Sequence, residues 1–371
     1  MKTKNKSYRP YKQRDKRYSN KPIIKKETEL TVMKNSLLPY GCKYCEDYNF
    51  SCGHTVPIYE VSSVHSLNQL IGYAKFINKS FGDVYYRGEC KLHDSLLPSL
   101  FRGKTNISSP ASRLNTLIQN IMSDSNMKKQ LKLDTSDSIS CQLKIEGLLQ
   151  HYGIKTRFVD VVDNHWVALW MGLNRIQAYK QIQNYYHYEE REIPLIDFVE
   201  GAKCNEGDLF QYILLIAVPG SSRRINNGIY DSNSFYKIDL RQALPSTYIR
   251  PHAQHGLVIR KRSSEGIHAE SYDLASNVVG IIKIRIDRVK KWIGTGELLT
   301  QDNLFPPPAF DNGYDVLLSR VDLFNGEFNI EKDIAKLADV LGHSNINTTR
   351  IYIISTGIEH KRRMENLKLI I

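Results

Sequence analysis

Between residues 58 and 321 the apolar positions switch repeatedly between two spacings. In "SSVHSLNQLIGYAKFI", Leu67, Leu70, Ile71 and Ala74 recur at helical intervals, and Ser63 or Ser66 can cap the first turn. "DVYYRGE" reads as a short strand ending in Arg87 and Gly88, and "CQLKIEGLLQHYG" as a helix stopped by Gly153. "TRFVDVV" reads as a strand, and "NHWVALWMGLNRIQAYKQI" as one long helix capped by Asp163 or Asn164. "YILLIAV", "GLVIR" and "VVGIIKIRI" are later strands. Helices and strands are interspersed without a strict βαβ rhythm, which predicts an α+β fold rather than a doubly wound sheet. The predicted unit is one mixed domain over residues 58–325.

Further on, "EKDIAKLADVLGHSNINTTRIYI" predicts helix, turn, helix. Ile334, Leu337, Ala338 and Leu341 form one apolar face, Gly342 ends it, and Asn347 can cap a second helix that carries Tyr352. This appendage spans residues 330–371.

Charge changes the picture at the other end. The 371-residue chain has a net charge of +12 and 41% hydrophobic residues. Residues 1–26 hold eleven Lys or Arg and one Asp, so +10 of that charge sits there. A segment with so many charges and few large aliphatics cannot bury a core, and residues 1–40 are expected to be a disordered basic arm. Tyr8, Tyr11 and Tyr18 interleave with its lysines, which suits contact with nucleic acid through phosphates and stacking. A solubilising extension is the alternative. No apolar core of secretory type begins the chain and no run reaches the roughly 18–20 apolar residues of a membrane span, so a cytoplasmic protein without a membrane partner is expected.

"YGCKYCEDYNFSCGHTVP" crowds Cys42, Cys45, Cys52 and His54 into C-x2-C-x6-C-x-H. Three thiolates and one imidazole are a donor set that zinc accepts in a tetrahedron. Residues 41–57 are therefore expected to form a small structural zinc knuckle; a loop of reduced thiols is the alternative.

Several blocks of the middle region, "YYRGE" with "LLPSLFR", "LLQHYGIKTRFVDVVDNHWVALWMG", "RPHAQHGLVIR" and "DNLFPPP", resemble the successive motifs of the FRG domain, a family of bacteria and their phages. The departures are mild: Phe158-Val159 and Val161-Val162 stand where Leu-Leu and Trp-Thr are usual. The resemblance implies a mobile-element context. On the residues themselves, Arg87 ends a strand beside a glycine, where a guanidinium can take a phosphate bidentately. His151 and Tyr152 close one helix, and Thr156, Arg157 and Asp160 begin the next element. Their convergence would suit a phosphate-bearing ligand, with Arg87 and Thr156 as binding groups and His151 as acid or base. A buried network with an Arg157–Asp160 ion pair is the alternative. "YYRGE" is also similar to the Arg-Gly that holds NAD in ADP-ribosyltransferases, which implies "KTR" as the second motif and Glu265 or Glu270 as the acidic residue.

The C-terminal forty residues resemble the catalytic end of phage-integrase-type tyrosine recombinases. His343 matches the histidine that helps bind the scissile phosphate and Tyr352 the nucleophile. Phosphoryl transfer to tyrosine needs a cationic cradle, which that family draws from the preceding 150 or so residues. Here those positions carry the FRG-like blocks, so the ending reads as a vestige of a DNA-integration protein without autonomous strand cleavage.

Overall fold

A computed structural model describes residues 29–34, 38–104, 106–179, 185–192, 206–220, 223–262, 268–294, 299–306, 310–320 and 323. Of the disordered arm expected over residues 1–40, the first 28 residues lie outside them, as does the recombinase-like ending with His343 and Tyr352. Residues 29–34 are instead part of the fold, with Met33 3% exposed in the core and its amide 2.8 Å from the Val279 carbonyl.

The chain runs through strands β1 (Cys42–Asn49) and β2 (Thr55–Val61), helix α1 (Val64–Ile77) and strand β3 (Gly82–Glu89). Helices α2 (Ser108–Ser123), α3 (Ser125–Leu131) and α4 (Ser138–His151) follow, then β4 (Val159–Val162), α5 (His165–Leu173), β5 (Asn174–Tyr179) and β6 (Tyr185–Glu190). After α6 (Glu206–Leu209) come β7 (Phe210–Pro219), β8 (Arg223–Asn226), β9 (Ile229–Asp231), β10 (Phe235–Asp239), α7 (Leu240–Ala243), α8 (Arg250–Ala253) and β11 (Gly256–Lys261). Strand β12 (Val278–Arg285), α9 (Ile286–Ile293), α10 (Gln301–Leu304) and α11 (Asn312–Ser319) complete the described elements.

Ten strands form one sheet in the order β1-β2-β12-β7-β3-β4-β11-β10-β9-β8. Every neighbouring pair is antiparallel except β12 and β2, so the fold is α+β as the sequence predicts. Strand alternation sorts the side chains into two layers. Val84, Tyr86, Ile213 and Leu215 pack beneath α1, α5 and α9, while Ile238 and Val258 pack beneath α4. Tyr85, Val159, Val161, Leu214 and Ile216 fill the opposite layer. Strands β3 and β4 lie at the centre of the sheet.

Local sequence explains the helix starts. Ser63 and Ser66 form a reciprocal capping box on α1, and Asn164 caps α5 by accepting from the Trp166 amide at 2.9 Å. Helix α4 ends at His151, and Gly153 follows with φ +96°, a conformation glycine adopts without strain. The long helix expected from residue 164 onward stops at Leu173 instead. Asn174 turns its side-chain amide back to the Trp170 carbonyl at 2.8 Å, and residues 174–179 pair with "YYHYEE" of β6. That partner is rich in tyrosine, and cross-strand pairing overrides the helical spacing.

The cysteine cluster does not close into a knuckle. Cys42 and Cys45 belong to β1, Cys45 is the extra residue of a bulge between Tyr44 and Glu46, and the β1–β2 hairpin is the edge of the large sheet. An extended strand rises about 3.3 Å per residue, which carries Cys42 far from Cys52 and His54 at the hairpin tip. Cys42 and Cys45 also pack against different cores, and a ring nitrogen of His54 lies 2.7 Å from the Val278 carbonyl. Burial, with the neighbouring Cys45, pushes the Cys42 thiol up to about 11. Among the described residues no three His, Cys, Asp or Glu lie close enough to hold a metal ion. Cys52→Ser is accordingly expected to leave the melting temperature unchanged and the purified chain to carry no stoichiometric zinc, measured by elemental analysis; a drop in both would restore the metal reading.

Among the described residues no helix is long and apolar enough to cross a membrane.

Candidate functional site

The two central strands pair at a single position, Tyr86 opposite Val162, and then part. The carbonyl of Asp160, two residues back along β4, is taken by the guanidinium of Arg87 through Nη1 at 2.8 Å. Glu89 holds the same guanidinium through Nε at 2.6 Å, so Arg87 is fixed with Nη2 left over and 19% of its side chain exposed. Burial works against its charge, but Glu89 and Asp160 outweigh it and keep Arg87 firmly protonated.

Gly88 has a different task. A Cβ on it would collide with the Ala168 carbonyl and the Gly172 amide, so the glycine lets α5 lie directly on β3. By alternation Arg87 and Glu89 then point to the face opposite α5. Glu89 there borders a pocket with Phe50, Leu96 and Leu214 as apolar wall and Lys91, His93 and Ser95 as polar lining. Arg102, an exposed side chain whose Nε is 3.0 Å from the Leu97 carbonyl, sits near enough that Arg87 acts on it. Burial and then the charge of Arg87 lower its pKa. Arg102 therefore lies within electrostatic range of Arg87, and of Glu89 and Asp160 as well.

On the helix-covered face the carboxylate of Asp160 meets the end of α4. Gln150 donates to it at 2.5 Å, and His151 Nδ1 lies 3.8 Å from its other oxygen. The remaining oxygen of Asp160 and Nε2 of His151 are buried without a hydrogen-bond partner. His151 packs flat against Gly256, where a Cβ would strike the ring, and only 4% of its side chain is exposed. Thus Arg87 and His151 approach Asp160 from opposite faces of the sheet, one through its carbonyl and the other through its carboxylate.

The other expected site residues are turned elsewhere. Thr156 is fully buried, donates to Gln150 at 2.6 Å and accepts from the Phe158 amide at 3.1 Å, which leaves it structural rather than ligand-facing. Arg157 does not pair with Asp160. It makes three hydrogen bonds to Glu146, at 2.9 and 2.6 Å from its guanidinium and 3.0 Å from its amide, and Arg260 adds a fourth at 2.8 Å. The Tyr152 hydroxyl donates to Asp311 at 2.5 Å, and burial pushes its phenol well above the ordinary range, so it supplies no phenolate. Glu270 is exposed in the short turn Ala269–Tyr272, and Glu265 lies outside the described residues.

Sequence reading missed Glu89, Gln150, Arg102 and Glu146. A charged residue inside the apolar stretch "KIEGLL" was the visible signal for Glu146, because buried carboxylates require partners.

Residues 82–181 match the family model described as the FRG domain. The match opens on β3 and takes in Arg87, Gly88, Glu146, Gln150, His151, Arg157 and Asp160, whereas "RPHAQHGLVIR" and "DNLFPPP" lie beyond it. No curated protein and no solved structure matches the chain.

Proposed function

We propose that this FRG-domain protein is an effector that binds a phosphate-bearing ligand where β3 and β4 part, with Arg87 and Arg102 as the anion-holding groups. The observation that carries this reading is the state of Arg87. Two of its three nitrogens are committed to Glu89 and the Asp160 carbonyl, which leaves the third for a ligand, and the exposed Arg102, whose Nε is held by the Leu97 carbonyl, lies within electrostatic range of it. Adjacent guanidinium groups repel unless an anion joins them, and phosphate oxygens accept from several N–H donors at once.

NAD belongs to this ligand class, and an ADP-ribosyltransferase-like activity is the finer form of the reading. Equilibrium dialysis of the full chain against a nucleotide panel that includes NAD tests it. Binding is expected for wild type and at least tenfold weaker for Arg102→Gln, whose side chain is exposed and supports no core contact. Equal affinity in both proteins sinks the proposal. Labelled NAD incubated with lysate separates transfer from binding: label must reach protein with wild type and not with Arg87→Ala.

The eleven basic residues among the first twenty-six support a second reading, nucleic-acid binding, with the recombinase-like ending as its link to DNA integration. Deleting residues 1–28 should abolish a salt-sensitive DNA affinity; affinity that survives the deletion removes the arm from the account.

A further inference from the structure

Arg250 opens the short helix α8 and is 9% exposed, yet its guanidinium has no hydrogen-bond or ion-pair partner among the described residues. It is held by aromatic rings. Its central carbon lies 4.5 Å from the Tyr314 ring centre, 4.6 Å from that of Tyr152 and 5.5 Å from that of Phe305. Ring faces stabilise the flat faces of a guanidinium, but its N–H donors point outward along its edge and still need acceptors. Nε is buried with none. The buried carboxylate of Asp311 is taken by the Tyr152 hydroxyl and by the amides of Arg250 and Tyr314, and no ion pair with the Arg250 guanidinium is seen among the described residues. A buried donor left without an acceptor is costly, and an anion at the guanidinium edge would relieve it.

Tyr188 completes the place. Its ring is tilted by 32° against Phe305 with the centres 4.4 Å apart, its hydroxyl makes no hydrogen bond among the described residues, and its phenol is raised by burial while the Arg250 charge works the other way. We propose that the Arg250 guanidinium edge and the Tyr188 hydroxyl form a phosphate-accepting site on the helix-covered face of the sheet, separate from the Arg87–Arg102 pair. A carboxylate spends both oxygens on the planar fork, whereas a phosphate keeps a third for a donor from another direction. The aromatic rings set the fork's plane in advance, so little ordering is left for binding.

Thermal unfolding of the full chain against inorganic phosphate, at ionic strength held constant with chloride, tests the site. Wild type should show a saturable rise in melting temperature. The apparent affinity should fall at least tenfold in Arg250→Gln and at least threefold in Tyr188→Phe, each compared in an Arg102→Gln background so that the Arg87–Arg102 pair does not contribute. Should Arg250→Gln fail to fold, Tyr188→Phe decides, because it removes only a hydroxyl that bonds nothing among the described residues. The inference is overturned if no saturable response is seen, if acetate serves as well as phosphate, or if Tyr188→Phe responds as wild type does. A response lost in Arg102→Gln alone also overturns it while supporting the Arg87–Arg102 site.

Discussion

Glu146→Gln is expected to destabilise the protein by about 3–5 kcal/mol in urea unfolding. The carboxylate is 1% exposed and neutralises two guanidinium groups at once, Arg157 at 2.6 Å and Arg260 at 2.8 Å. Glutamine keeps the size and one acceptor but leaves both cations buried without a counter-charge. Those cations have no easy escape: 18% of the Arg157 side chain and 14% of that of Arg260 are exposed, and Arg260 is stacked over Phe158 and Tyr236. The pH dependence supplies an independent check. Burial alone would raise the Glu146 pKa, but the charges of Arg260 and Arg157, with the hydrogen bonds from Arg157, outweigh it and hold the carboxyl below the usual glutamate range. A depressed folded value means that the contribution is fully present above the unfolded pKa of about 4.3 and is lost as pH falls through the folded one. Wild type should therefore shed stability in that acid window, and Glu146→Gln should shed less. A loss under about 1 kcal/mol with an unchanged acid profile would remove the triad from the account of stability.

What could be read from the chain before folding, and what could not, follows from how local each signal is. Helix α1 was legible because its apolar spacing and its Ser63 cap both lie within one short stretch. The end of α5 was not, because residues 174–179 leave the helix for a partner strand that only folding brings alongside. The motif residues of the polar cluster were legible as types, and Arg87 and His151 each reach Asp160, but from opposite faces of the sheet rather than at one mouth. Their partners were not. Arg157 sits in a bend ahead of β4, and there its side chain meets Glu146 in the body of α4, while Asp160 meets Gln150 and His151 at the end of that helix. Backbone conformation likewise separates the four metal-type ligands. C-x2-C grips an ion when the backbone turns between the thiols, and here it is a bulged strand. Arg250 was hidden for a further reason: its neighbours Tyr152, Tyr188, Phe305 and Tyr314 come from four separate segments of the chain.

Gly88→Ala is expected to cost about 3 kcal/mol or more, above the 1–3 kcal/mol typical of an extra methyl in a packed core. The reason is the identity of the obstacle. The new Cβ meets the backbone of α5 at Ala168 and Gly172, not the end of a flexible side chain, so the helix itself must lift from β3. That helix carries Trp170, which packs against Tyr188 at 5.4 Å and Phe305 at 5.9 Å, so the displacement reaches the Arg250 cage from one side. It also strains the short β3–β4 pairing at Tyr86 that sets Arg87 against Asp160. Gly72→Ala is the matched control: Gly72 lies within α1, and nothing stands within 4 Å of its added Cβ. There the substitution should stabilise the chain by roughly 0.5–1 kcal/mol through helix propensity. Opposite signs at the two positions, read from urea midpoints, would show that Gly88 is needed for the close approach of a helix to a strand. A neutral Gly88→Ala would mean that α5 has room to move, and the second residue of the Arg-Gly pair would then need a different explanation, such as the approach of ligand to the backbone.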